Sequence, residues 1–249
     1  MSNSATGLDP RQIIHRETWE KKKALRLLYQ DYHRQLFDSC PEGAILDIGG
    51  GTAHVKEFRP DVISADILGF PGIDVVADAH ELPFRNECFA GVVMLDVLHH
   101  LERPIEFLQE AARVLKPGGR LAMIEPAMTT TARMFYDYFH GEPVDMHADP
   151  FAPVAINPER DAFDANQAIP TLLFASAAAR QHLEQTIPTL RVRYVNWHSL
   201  FAYPMSGGFQ KWSLLPAALV RPMLGLEKKM PAAVRKHLAF RMMIVLERV

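Results

Sequence analysis

An α/β domain with a mainly parallel sheet is what this sequence predicts, on three observations. Short apolar runs follow one another, each with an acidic residue at or beside its end, a glycine turn follows the first of them, and an amphipathic stretch separates the fourth from the fifth. The runs occupy 44–48, 62–66, 73–78, 90–96 and 120–125. Unbroken apolar segments of this length suit parallel strands covered on both faces. The stripe Ile105, Leu108, Ala111, Ala112 and Leu115, closed by Lys116-Pro-Gly-Gly119, reads as a right-handed crossover helix between the last two.

Residues 1–17 are polar and are expected to fray. From Thr18 the periodicity turns helical, with Trp19, Leu25, Leu28, Tyr29, Tyr32 and Leu36 on one face and Cys40-Pro-Glu-Gly43 as the stop. Beyond residue 125 the texture changes. Eleven of the 18 prolines lie there, which predicts irregular, insertion-rich chain. Within it, 172–185 reads as a helix, and 190–201 and 239–249 read as strands.

With 48% hydrophobic and 22% charged residues, the composition is that of a globular chain rather than a disordered one. A net charge of −2 and a pI near 6.6 argue against a globally basic nucleic-acid binder. Two cysteines, Cys40 and Cys88, are too few for a disulfide framework and suit a reducing compartment. No apolar run approaches the roughly 18 residues of a membrane span, and the start lacks a signal-peptide core. A cytoplasmic protein is the expectation.

The octapeptide Asp47-Ile-Gly-Gly-Gly-Thr-Ala-His54 carries the most chemistry. Glycines at a strand end let a ligand approach the backbone, although a plain tight turn would use them too. A dinucleotide fingerprint needs a third glycine where His54 stands, and 52–61 allows only a short helix. Both points count against a nicotinamide-dependent oxidoreductase. Asp66 follows Gly49 by 17 residues at the second strand's end, where an acidic side chain can accept ribose hydroxyls. Asp78 ends the third strand in the same way.

In order, these segments resemble class I S-adenosylmethionine-dependent methyltransferases, type 11 (small-molecule) group. The resemblance covers about 41–126 and rests on Ile45-Leu-Asp-Ile-Gly-Gly-Gly51, Ser64-Ala-Asp66, Ala77-Asp-Ala79 with Leu82-Pro-Phe84, Asp96-Val-Leu-His-His100 and Arg113-Val-Leu-Lys-Pro-Gly-Gly119. It implies a Rossmann-like three-layer sandwich, with a seven-stranded sheet whose last strand is antiparallel. It also implies S-adenosylmethionine as cofactor: Asp47, Gly49 and Gly51 at the methionine end, Asp66 on the ribose, and Ile67 beside the adenine. Asp78 and the Ala79 amide would meet the adenine edge, and Leu95 and Asp96 the methionyl portion. His99 and His100 follow, one of them approaching the site. The organisation expected is a lid helix in 1–40, the cofactor-binding core in 41–126, a cap insertion in 127–168, and a C-terminal core helix and strands in 169–249 interrupted by a second cap at about 203–238.

The insertions follow strands whose carboxyl ends open on the cofactor edge, so they are expected to roof an acceptor pocket. The first carries an aromatic and ionisable cluster, with His140 and His147 as candidate general bases and packing histidines as the plain alternative. The acids nearby are too irregularly spaced to argue for a metal. The second carries six Lys and Arg against Glu227 among many apolar residues; it suits a solvated cap face, a lipid-linked acceptor or contact with anionic lipid. The expected acceptor is a small, hydrophobic or anionic molecule, methylated at oxygen ahead of carbon or nitrogen. No nucleic-acid partner is expected. A silent cofactor-binding scaffold is the non-enzymatic alternative.

Overall fold

The computed structural model describes residues 7–139, 143–157 and 159–249. Seven strands form one sheet in the order β3-β2-β1-β4-β5-β7-β6. They are β1 (Ile45–Ile48), β2 (Ile63–Asp66), β3 (Val75–Val76), β4 (Phe89–Leu95), β5 (Leu115–Pro126), β6 (Leu190–His198) and β7 (Arg241–Arg248). The first five are parallel to their neighbours, and β7 runs antiparallel to both β5 and β6. The seven strands with a reversed last one are therefore present.

Side-chain alternation explains why the central runs are apolar throughout. Val92 and Met94 of β4, Leu121 and Met123 of β5, and Met242, Ile244 and Leu246 of β7 face one core, packed under α3 (Pro104–Val114), α5 (Ile169–Phe174) and α6 (Ala177–Thr186). Their neighbours Val93, Ala122, Ile124, Met243 and Val245 face the second core under α2 (Lys23–Asp38) and α8 (Ala217–Lys229). A period of two buried on both sides reads as continuous hydrophobicity. The result is three layers.

Several boundaries differ from the sequence expectation. The chain is helical well before Thr18. Asp9 caps α1 (Pro10–Lys21) by accepting the Arg11 N–H, and Pro10 occupies the first turn, where its missing N–H costs nothing. Lys22, with φ −101° and ψ 87°, breaks this helix from α2. The helix expected over 172–185 is two, because Ser176 takes an extended conformation and caps α6 through the Ala179 N–H. β5 starts at Leu115, which pairs with Phe89, so Lys116–Gly119 enters the strand across a register shift instead of only closing α3. β3 shrinks to two residues at the sheet edge. After β2 no helix forms among the described residues before β3, and the glycine turn leads only into a single 3-10 turn at His54–Glu57. Among the described residues the remaining helices are α4 (Thr130–Phe139), α7 (Ala202–Ser206) and α9 (Ala232–Leu238), with a second 3-10 turn at Leu98–His100.

Candidate functional site

The carboxyl ends of β1, β2 and β4 open on a cavity of about 1040 Å³. β1 stops where Gly49 (φ +73°) and Gly51 (φ +55°) adopt the left-handed region that side chains disfavour. Gly50 is held by space instead: a Cβ there would lie 2.0 Å from Ser64 Oγ and 2.8 Å from Ile73 Cδ1. At Gly51 an added Cβ meets nothing closer than 3.9 Å, so the backbone lies open beside the cavity that it lines.

The acidic strand ends meet these turns directly. Asp66 accepts the Gly51 N–H on one oxygen and the Leu68 N–H on the other, each at 2.8 Å. Burial raises its pKa against the pull of those amides. Asp47 sits deeper, accepts Ser64 Oγ–H at 2.8 Å, and is pushed up to about 7 by burial. Asp78 accepts the His80 N–H at 2.9 Å and lies 2.5 Å from His80 Nδ1. Asp47, Gly49, Gly51, Asp66, Ile67, Asp78, Ala79, Leu95, Asp96 and His100, dispersed over 54 residues of sequence, all line the one cavity.

At the end of β4 the chemistry changes. Asp96 has φ +60°, a strained conformation for a non-glycine residue, and it is held there by two partners. Arg241 Nη1 donates to its Oδ1 and the Tyr29 hydroxyl to its Oδ2, the latter at 3.1 Å. Arg241 is 1% exposed, and its guanidinium lies 3.8 Å from the centre of the Tyr203 ring. A buried cation of this kind persists only with a partner charge. Nearby, Glu125 is fully buried and accepts the Val97 and Leu98 N–H groups on Oε1, each at 2.8 Å, with His99 Nδ1 at 2.8 Å from Oε2. The His100 ring packs 4.1 Å from that of His99, and burial lowers its pKa to about 3.

The roof comes from three segments. From α1, Arg11 donates to Asp161 at 2.8 Å and lies 3.9 Å over the Phe163 ring, while Gln12 Nε2 donates to the Gly51 carbonyl at 3.4 Å. The other Gln12 side-chain atom, Oε1, is buried with no hydrogen-bond partner. At the break between α1 and α2, Lys22 Nζ reaches the carbonyls of Ser206, Gly208, Gln210 and Trp212 at 2.7, 2.6, 2.9 and 2.9 Å. Those four carbonyls belong to the second insertion, whose 207–210 stretch lines the cavity together with Trp212.

Of the first insertion's aromatic cluster, Phe135 and Tyr136 reach the cavity. His147 does not. It is exposed in a surface turn where its N–H donates to Asp145 Oδ1 and Asp145 is in turn held by Asn166, so local side-chain capping directs that loop outward. His140 lies outside the described residues. Sequence reasoning missed Gln12, Arg241 and Arg160, the last of which lines the cavity and donates Nη1 to the His100 carbonyl at 2.5 Å. Asp9-Pro10 was a readable helix start that would have brought Gln12 forward. Arg241 offered no local signal, because a charge before an apolar run reads as a solvated flank.

Residues 52–123 match a family model described as a methyltransferase domain, type 11. The probable tRNA methyltransferase 9B of Mus musculus is 33% identical over 114 residues, 40% of this chain and 25% of that protein. The 27-O-demethylrifamycin SV methyltransferase of Amycolatopsis mediterranei is 49% identical over 71 residues, 28% of this chain and 24% of the relative. The fatty-acid O-methyltransferase of Mycolicibacterium smegmatis is 31% identical over 137 residues, 47% of this chain and 48% of the relative. This chain thus spans about a quarter to a half of the curated relatives it matches. Among solved structures, an S-adenosylmethionine-dependent methyltransferase from Thermotoga maritima superposes with a TM-score of 0.55 at 17% identity, over 95% of this chain and 99% of the other. One from Archaeoglobus fulgidus gives 0.51 at 18% identity, over 90% and 94%. Residues 52–123 are thus similar to the type 11 methyltransferase family, and the chain as a whole has the fold of the S-adenosylmethionine-dependent methyltransferases on which it superposes.

Proposed function

We propose that this chain transfers a methyl group from S-adenosylmethionine to a small molecule held beneath the roof. One observation carries the reading: ten residues expected at such a cofactor line one cavity, and the aromatic residues Phe135, Tyr136, Tyr203 and Phe209 line it too. The residues present fit the cofactor. Asp66 has lone pairs left for two ribose hydroxyls, and Gly51 leaves backbone open where a bulky ligand can approach. Ile67, exposed in the cavity wall, would cover the adenine, with Asp78 to accept its amino group and the Ala79 amide to donate to the ring. Asp47, Gly49 and Gly51, joined by the buried unpaired oxygen of Gln12, would receive the methionyl end. Leu95, Asp96 and His100 border the reacting side.

The bound cofactor supplies an activated methyl group on sulfur. This chain's work is to align the acceptor with it, exclude water, and take a proton where the acceptor is a hydroxyl. Phe135, Tyr136, Tyr203 and Phe209 supply the apolar wall. His99 lines the cavity with its Nδ1 2.8 Å from Glu125 Oε2, and this histidine–carboxylate pair takes the candidate base role in place of His147. Oxygen is the favoured acceptor atom, in keeping with the two O-methyltransferases named above. The roof favours a small acceptor, whereas the tRNA-methyltransferase relatives make a nucleic-acid acceptor the alternative to test.

Titration calorimetry with S-adenosylmethionine, S-adenosylhomocysteine and NAD is expected to show binding of the first two alone. A screen of phenols, fatty acids and transfer RNA, read as S-adenosylhomocysteine release, is expected to respond to a small hydroxyl or carboxyl compound. Binding of NAD without the sulfonium ligand, or turnover on RNA alone, overturns the reading.

A further inference from the structure

The outer face of α8, with the loop that leads into it, has an unusual composition for solvent. Val220, Leu224 and Glu227, at the i, i+4 and i+7 positions, are buried on the inner side, where α8 packs on α2. On one flank of the helix, about a third of a turn round from that buried side, Leu219 and Leu226, seven apart and so nearly in line, are 50% and 58% exposed. Just before the helix, Trp212 and Leu214 are 46% and 70% exposed.

Charge on the same stretch has one sign. Lys211, Arg221, Lys228 and Lys229 are exposed. Lys228 reaches Asp31 of α2 at 3.1 Å; the others have solvent-facing positions. Glu227 is the single carboxylate between 203 and 238, and it is buried, accepting the Phe201 and Ala202 N–H groups at 2.7 Å each. Nothing negative from this segment balances the basic rim. The patch also continues into the cavity wall, because Gln210 and Trp212 line it.

We propose that this face docks on an anionic lipid surface, with the cavity mouth turned towards the bilayer so that the acceptor enters from it. Leucines and a tryptophan among lysines and arginine are the side chains that settle at a headgroup boundary, where the apolar groups enter the acyl edge and the cations meet phosphate. Nucleic acid is the weaker fit, since phosphate contacts would leave three leucines in water. The segment rests on such a surface and does not cross it: no helix among the described residues is long and apolar enough to span. The entry of the acceptor rests on the methyl-transfer reading, whereas the docking itself does not.

Flotation of the full chain with phosphatidylcholine vesicles, with and without 30% phosphatidylglycerol, tests the docking. Partitioning is expected to rise at least tenfold with the anionic lipid and to weaken in 0.5 M salt. The double variant Leu219→Glu, Leu226→Glu is expected to lose that partitioning, as is Arg221→Glu with Lys229→Glu. Both should melt like the parent and keep its affinity for S-adenosylhomocysteine. Equal binding to neutral and anionic vesicles, no binding to either, or an unchanged double-leucine variant overturns the proposal. So does transfer RNA that displaces the protein from vesicles and binds the double-leucine variant as tightly as the parent. Failure of S-adenosylhomocysteine to bind the parent strikes the methyl-transfer reading and leaves the flotation result to stand or fall separately.

Discussion

At the scale of single residues, the site is a contest between room and charge. Gly50 shows the first. Its neighbours are the buried Ser64 hydroxyl and Ile73, so Gly50→Ala overpacks the turn; a loss of about 1–3 kcal/mol in a denaturant titration is expected, and an unchanged midpoint would contradict the 2.0 Å approach. Asp66 shows the second. Asp66→Asn keeps a carbonyl acceptor but loses the charge, so affinity for S-adenosylhomocysteine is expected to fall by about 1–3 kcal/mol in calorimetry. An unaltered affinity would remove Asp66 from the ribose role. Both residues were legible in sequence, because a glycine turn and a strand-terminal acid are local patterns. Arg241 was not. Its meaning comes from Asp96, 145 positions away in the chain, and from a ring contact with Tyr203 that no spacing encodes.

Among the elements, the break between α1 and α2 has the clearest consequence. Lys22 keeps its backbone N–H on the Thr18 carbonyl while its ammonium reaches four carbonyls, and so ties the start of the chain to the second insertion. Lys22→Met removes that clamp and leaves the carbonyls to find other donors. Faster proteolysis within 206–212 is expected, with a loss of about 1–3 kcal/mol in stability. Lys22→Arg should rescue poorly, because a planar fork cannot meet four oxygens around one point. Protection equal to the parent in Lys22→Met would show the clamp to be idle. Sequence periodicity found α2 through its apolar stripe but read α1 as frayed, since α1 is polar on most sides and gains its order from Asp9, Pro10 and its contacts with the glycine turn.

For the whole molecule, buried imidazoles set the response to acid. Burial lowers His33 to about 4 and His198 and His100 to about 3, and it carries His54, stacked 4.2 Å from Trp19, well below its usual value. In the unfolded chain these rings titrate near pH 6.5. As pH falls through that value the unfolded state takes up protons that the folded state refuses, so stability is complete above about pH 7 and declines towards pH 4. Asp47 slopes the other way. Its raised value costs stability as pH climbs from about 4 to about 7, and the raised Asp66 adds to it, but these are two carboxyls against four imidazoles. The melting temperature is therefore expected to drop between pH 6.5 and 4, with a shallower drop in His54→Phe. A flat profile in the parent would refute the account.

What the sequence by itself determined was the sheet, its parallel order through β5, and the set of residues gathered at the strand ends. Each rests on a local pattern: apolar runs buried on two faces, a turn that needs glycine, an acid where a strand stops. What only the tertiary structure decided was the roof. It put Gln12 and Arg241 into the cavity wall, tied Lys22 to the second insertion, turned His147 outward, and buried Glu227 so that the second insertion presents an apolar and basic face without a balancing acid. The physical reason is range. Contacts within a strand and its turn are dictated by neighbours in sequence, whereas a roof assembled from segments up to about two hundred residues apart is dictated by which side chains can share buried charge and packing space.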